Sequence, residues 1–148
     1  MPETRRGGWG FVVRDQSGNV RGSGAGCLPI IASAAQAEAQ ACDEALKAAA
    51  DWGMTNIILE TDSQNLAKAM QSTSFDRAPE GILYRDMRLF SQLSFTSFAL
   101  SAIPRTCNNL AHDLAKYGAS RQDLKLLWPE SLPSDVRVVV ASVSAEPS

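Results

Sequence analysis

The chain has 148 residues, with 14 Lys and Arg against 16 Asp and Glu, a formal charge of −2. Hydrophobic residues make up 45% and charged residues 20%. Those ordinary values exclude collagen, coiled coil and a fully disordered chain, and they suit one domain with a real core. No apolar run approaches the length of a bilayer crossing, and no apolar stretch follows the charges of Met1–Gly8, so neither a transmembrane helix nor a secretory signal is expected.

Charge is uneven along the chain. Residues 1–22 carry four bases against two acids, residues 23–104 five against nine, and residues 105–125 four against two. None of these is a basic footprint strong enough to announce nucleic-acid binding by itself. Cys27, Cys42 and Cys107 form no CxxC pair, and the single histidine, His112, argues against a Cys/His zinc site. Free thiols in a reducing compartment, cytoplasmic or nuclear, are the simple reading.

In chain order, Trp9–Arg14 is aromatic and β-branched and reads as a strand. Asp15–Asn19 is dense in turn formers, and Val20–Gly26 is a glycine-rich second strand, so the two predict a hairpin. The alanine-rich stretch from about Ser33 to Trp52 predicts a helix with Ser33 as N-cap and Gly53 just past its end. Asn56–Glu60 reads as a buried strand, Ser63–Met70 as a short helix, and 71–79 as a polar loop closing at Pro79. A helix over Gly81–Leu93, a strand over Phe95–Ile103 stopped by Pro104, and a last helix over Asn108–Gly118 follow. The apolar run Val136–Val143 is either a strand or a sticky disordered end. Strand–helix–strand order implies an α/β sheet.

Three residues are candidates for chemistry. Asp62 follows a buried strand, at the carboxyl edge where open α/β sheets place their ligands. Spacing alone favours the plainer alternative, a cap for the next helix. Glu38, between Ala37 and Ala39, either faces the sheet and needs a partner or a metal, or is simply solvated. His112 shares a helix face with Asn108, one turn away.

Taken together, these motifs resemble the ribonuclease H-like domain of plant proteins and retroelements. Gly8–Asp15 with Gly18-Asn19-Val20 resembles that family's second and third strands. Ala37–Ala41 with Ala45-Leu46 resembles its first helix, Ile58–Ser63 its fourth strand, and Ile103-Pro104-Arg105 with Asn108–Lys116 its fifth strand and final helix. The resemblance spans about residues 7–120. It implies an α/β fold, a ribonuclease H-like mixed sheet flanked by helices, over residues 1–120, with a tail over 121–148 in which 136–143 could form a strand.

In the family, four acids hold two divalent ions, usually magnesium, which cut the RNA strand of an RNA–DNA hybrid. By resemblance, Glu38 is the second acid and Asp62 the third, so both are metal ligands. The fourth position is His112, a residue the plant branch tolerates. These three are the expected catalytic residues. Arg5, Arg6, Arg105, Asn108 and Lys116 are the expected contacts to nucleic acid. The family's first, central strand, which carries the first acid, has no counterpart ahead of Gly8: only Glu3 is acidic there. Magnesium binding is therefore expected to be weakened and cleavage of RNA or RNA–DNA hybrid weak or absent.

The missing strand predicts two unpaired apolar edges in mid-sheet. The chain could fold poorly alone, take a strand from a protein partner or a swapped copy, or fold its own tail into the gap. The last is the least expected, because the tail must travel back from the final helix. The competing function is a protein-interaction module built on a retired nuclease fold.

Overall fold

The structure is a computed structural model that describes residues 5–130 and 135–144. Glu3 lies outside the described residues, as do the side chains of Arg5 and Ser144. One mixed sheet of six strands is flanked by four helices.

Strand β1 (Arg5–Arg14) alternates its faces. Trp9, Phe11 and Val13 join the larger core, whereas Val12 joins a smaller one on the opposite side. The hairpin turn is closed by Asp15, whose Oδ1 accepts from the amides of Ser17 and Asn19, both at 2.9 Å. Gly18 supplies a φ of +85° there. The Arg21 guanidinium, bonded to Asp15, holds that carboxyl below its ordinary range. Strand β2 (Val20–Ile31) runs five residues beyond the expected Gly26. It continues because Arg5 and Gly7 of β1 pair with Ile31 and Leu28. The extra residue on β2 sits at Pro29–Ile30, where proline has no amide to donate.

Helix α1 (Ala34–Asp51) starts at Ser33, whose hydroxyl accepts from the Gln36 amide. Its alanines let it lie close over the sheet, with Ala37, Ala41, Ala45 and Ala48 buried. Strand β3 (Asn56–Thr61) leads into α2 (Gln64–Gln71), and α3 (Gly81–Ser94) follows. Arg88 of α3 ties them together. Its guanidinium donates to the carbonyls of Ala69 and Ser72 at the end of α2 and forks onto Asp76. Strand β4 (Ser97–Ala102) is an edge strand parallel to β3. A single 3₁₀ turn over Arg105–Cys107 leads into α4 (Asn109–Ala119). Helix α4 packs on the face opposite the other three, with Ala111 and Ala115 against Val12.

The sequence led us to expect nothing between Ser120 and the apolar tail, yet Leu126–Pro129 forms a short edge strand, β5, on β2. The run near the C-terminus forms β6 (Asp135–Ser144), which lies in the middle of the sheet. The strand order is β4-β3-β6-β1-β2-β5. β6 is antiparallel to β1 and parallel to β3. The sheet thus has no empty centre: the place of the absent first strand is taken by a strand from the far end of the chain. Of the three ways to resolve the gap, this was the least expected. Its cause is the alternation within the run. Val136, Val138 and Val140 enter the larger core beneath α1, while Val139 and Ala141 enter the smaller one beneath α4. A strand apolar on both faces is stable only between two layers.

Candidate functional site

The site forms at the carboxyl ends of β3 and β6, where α1 and α4 approach the same edge from opposite faces. Ser63 caps α2, its hydroxyl accepting from the Leu66 amide at 3.1 Å. Asp62 is therefore not the cap that its spacing suggested. It is freed to face α4, where its Oδ2 lies 2.8 Å from His112 Nε2. A ring nitrogen set against a carboxylate carries the proton, so Nε2–H is the donor. His112 is 8% exposed, and its Nδ1 has no partner.

Asn108 opens the same helix. It was expected as a contact to nucleic acid, but it is 1% exposed. Its Nδ2 donates to the Val140 carbonyl at 3.0 Å, which leaves no surface for a nucleic acid. It anchors α4 to β6 instead. Its Oδ1 is also buried without a partner. Nearby, the Ile103 amide donates to the Thr61 carbonyl at 2.8 Å, holding the chain after β4 over the end of β3.

Glu38 reaches the edge from α1 and is half-buried. Burial pushes its carboxyl above the ordinary value; the Ser63 hydroxyl opposes that rise and the Asp62 charge adds to it. The solvated reading of Glu38 is thus replaced by a partly desolvated acid beside a second one. A raised acid holds its proton in the folded chain when the unfolded chain has lost it. Its contribution is complete below about 4.5, the ordinary value, and is lost as pH rises through the raised one. Glu38→Gln is accordingly expected to raise thermal stability at pH 7 by no more than about 1 kcal/mol, because the group is only half-buried. The gain should close at pH 4; equal melting temperatures at both pH values would contradict the assignment.

The basic residues divide. Arg105 and Lys116 are exposed. Arg6 is exposed as well, but its guanidinium donates to the carbonyls of Ala119 and Arg121 at the end of α4. A cation at a helix C-terminus complements its dipole. The structure thus brings Glu38, Asp62 and His112 to one edge, supported by Ser63, which sequence reasoning missed, and by Asn108, which it had assigned to nucleic acid. The Ser63 signal was present in the sequence, since a serine directly before a helix is a strong cap.

The reverse transcriptase-like family matches residues 2–118, a span that ends before β5 and β6. Among solved structures, the crystal structure of RNase H1 from the halophilic archaeon Halobacterium salinarum NRC-1 is similar. It is 26% identical, with a TM-score of 0.62, over 75% of this chain and 83% of that one. No curated protein matches.

Proposed function

The chain belongs to the reverse transcriptase-like family, with a ribonuclease H-like fold, and on that premise we propose that it binds RNA or RNA–DNA hybrid and cleaves it weakly or not at all. The observation that carries this reading is the Asp62–His112 contact. It turns the third acid of the resemblance inward, onto a buried ring.

Magnesium is the ion that the resemblance implies, and the donor set does not fit a pair of such ions. Two dications about 4 Å apart repel by roughly 17 kcal/mol at an effective dielectric of about 20. Glu38 and Asp62 are two carboxylates where four acids would serve, and β6, beside Asp62, has only Asp135 as an acid among its described residues, at its opposite end. Among the described residues no three His, Cys, Asp or Glu side chains group to hold a metal ion. Glu38, Asp62 and His112 remain the residues that we propose define the site, with Arg105 and Lys116 as the phosphate contacts.

The test is a labelled RNA–DNA hybrid. Cleavage in magnesium or manganese should not exceed that of Asp62→Asn. Binding should weaken with salt, and Arg105→Ala with Lys116→Ala should flatten the log–log salt slope by about 2, near 0.9 per phosphate lost. Cleavage well above the control would sink the inactive reading. Binding indifferent to salt would favour the second reading, an interaction module. That alternative draws on α3, where Ile82, Leu89 and Leu93 are 74%, 55% and 78% exposed along one stripe. The three unpaired cysteines support a reducing compartment, cytoplasmic or nuclear.

A further inference from the structure

We propose that Ala141 is the residue that keeps this site from holding a divalent cation. The inference rests on the reading above and adds to it the position that decides it. β3 and β6 run parallel, and their register ends at Thr61 beside Val140. One residue further along stand Asp62, just past the end of β3, and Ala141 of β6. The bond to His112 places the Asp62 carboxylate on the α4 side of the sheet, and Ala141 lies on the same side, since Val136, Val138 and Val140 enter the core beneath α1 while Val139 and Ala141 enter the one beneath α4. Ala141 packs with Ala111 of α4 and is 5% exposed. His112, the next residue on that helix, is the one bonded to Asp62.

Ala141 is therefore where a third anion would meet Asp62, and its methyl has no donor atom. A hard dication needs several oxygens. Glu38 and Asp62 supply carboxylates from two directions, and the described residues of the strand between β1 and β3 supply none at this end. The shortfall comes from strand exchange: the segment that fills the centre of the sheet satisfies packing on both faces and brings an apolar residue to the reacting edge.

The experiment measures Mn²⁺ binding to the full chain by electron paramagnetic resonance, alongside circular dichroism and hybrid binding on the same samples. Wild type should bind no more tightly than Asp62→Asn. Ala141→Asp should tighten binding on the order of tenfold or more, since even an outer-sphere partner changes metal affinity by about 10–100-fold. Adding Asp62→Asn should cancel the gain, and Ala141→Asn should remain at the wild-type level. Should aspartate at this buried position prevent folding, Ala141→Cys provides the test, because cysteine packs as a small hydrophobe. With Cd²⁺ it should give a thiolate charge-transfer band above the wild-type background, lost on adding Asp62→Asn.

Tight Mn²⁺ binding by wild type that vanishes in Asp62→Asn would overturn the proposal. So would a folded Ala141→Asp no better than Ala141→Asn, or an Ala141→Cys without the Asp62-dependent band. Loss of hybrid binding in every sample, wild type included, would instead sink the nucleic-acid reading and leave the cation result standing.

Discussion

A chain ending at Glu130 is expected to show no cooperative thermal transition. Removing β6 removes Val136, Val138, Val139 and Val140, all buried. At about 1.5–3 kcal/mol for each buried valine, that is roughly 6–12 kcal/mol. Most domains have only about 5–15 kcal/mol in total. The loss does not stop at side chains. β1 and β3 would each lose a hydrogen-bonded neighbour along its length, leaving two apolar edges in mid-sheet. The Asn108 amide would lose the Val140 carbonyl, and with it the tie between α4 and the sheet. Circular dichroism on heating and amide dispersion in a proton–nitrogen spectrum check this. A truncated chain that melts sharply, with native-like dispersion, would show that the central strand is dispensable.

Gly118→Ala is expected to destabilise the protein, although alanine is the better helix former. Propensity alone would stabilise α4 by at most about 1 kcal/mol. A Cβ at position 118, however, would stand 2.3 Å from the Gly26 carbonyl oxygen and 2.7 Å from its nitrogen. Both contacts are with backbone, so neither can swing aside. Overpacking of this kind costs about 1–3 kcal/mol, and after the propensity gain the net effect should be a loss of about 1 kcal/mol and at most about 2 kcal/mol. The helix would have to lift from β2, and it carries His112 at its other end. The Asp62–His112 contact should loosen with it. Urea midpoints measure the stability change, and the His112 ring signals report on the contact. A midpoint that rises would mean that α4 does not approach β2 as closely as described.

Most elements were legible because their signals are local. Ser33 and Gly53 bracket α1, and the polar cluster at Asp15–Asn19 marks the hairpin. β3, α2, α3 and α4 begin and end within about two residues of their expected bounds. Glu38 and Asp62 were singled out from type and spacing, and they do meet at one edge, with His112 beside them. What was not legible came from distant pairing. Four residues of β5 are too few to carry a period, and β2 passes through Pro29 only because Arg5 lies across from Ile31. The spacing of Asp62 favoured a cap; Ser63 takes that place, and the Asp62 carboxylate is then claimed by a ring fifty residues away.

The amino-acid sequence by itself determined most of the elements, the two carboxylates and the apolar character of the run that becomes the central strand. Periods and caps are written within a few residues, so they need no fold to be read. Only the tertiary structure decided which strand stands at the centre. A period of two assigns faces but says nothing about neighbours. Asn56 meets Asp135 across 79 residues, its Nδ2 2.6 Å from the carboxylate. That pairing belongs to a strand flanked by β1 and β3, partners more than seventy residues away in the chain that no local period names.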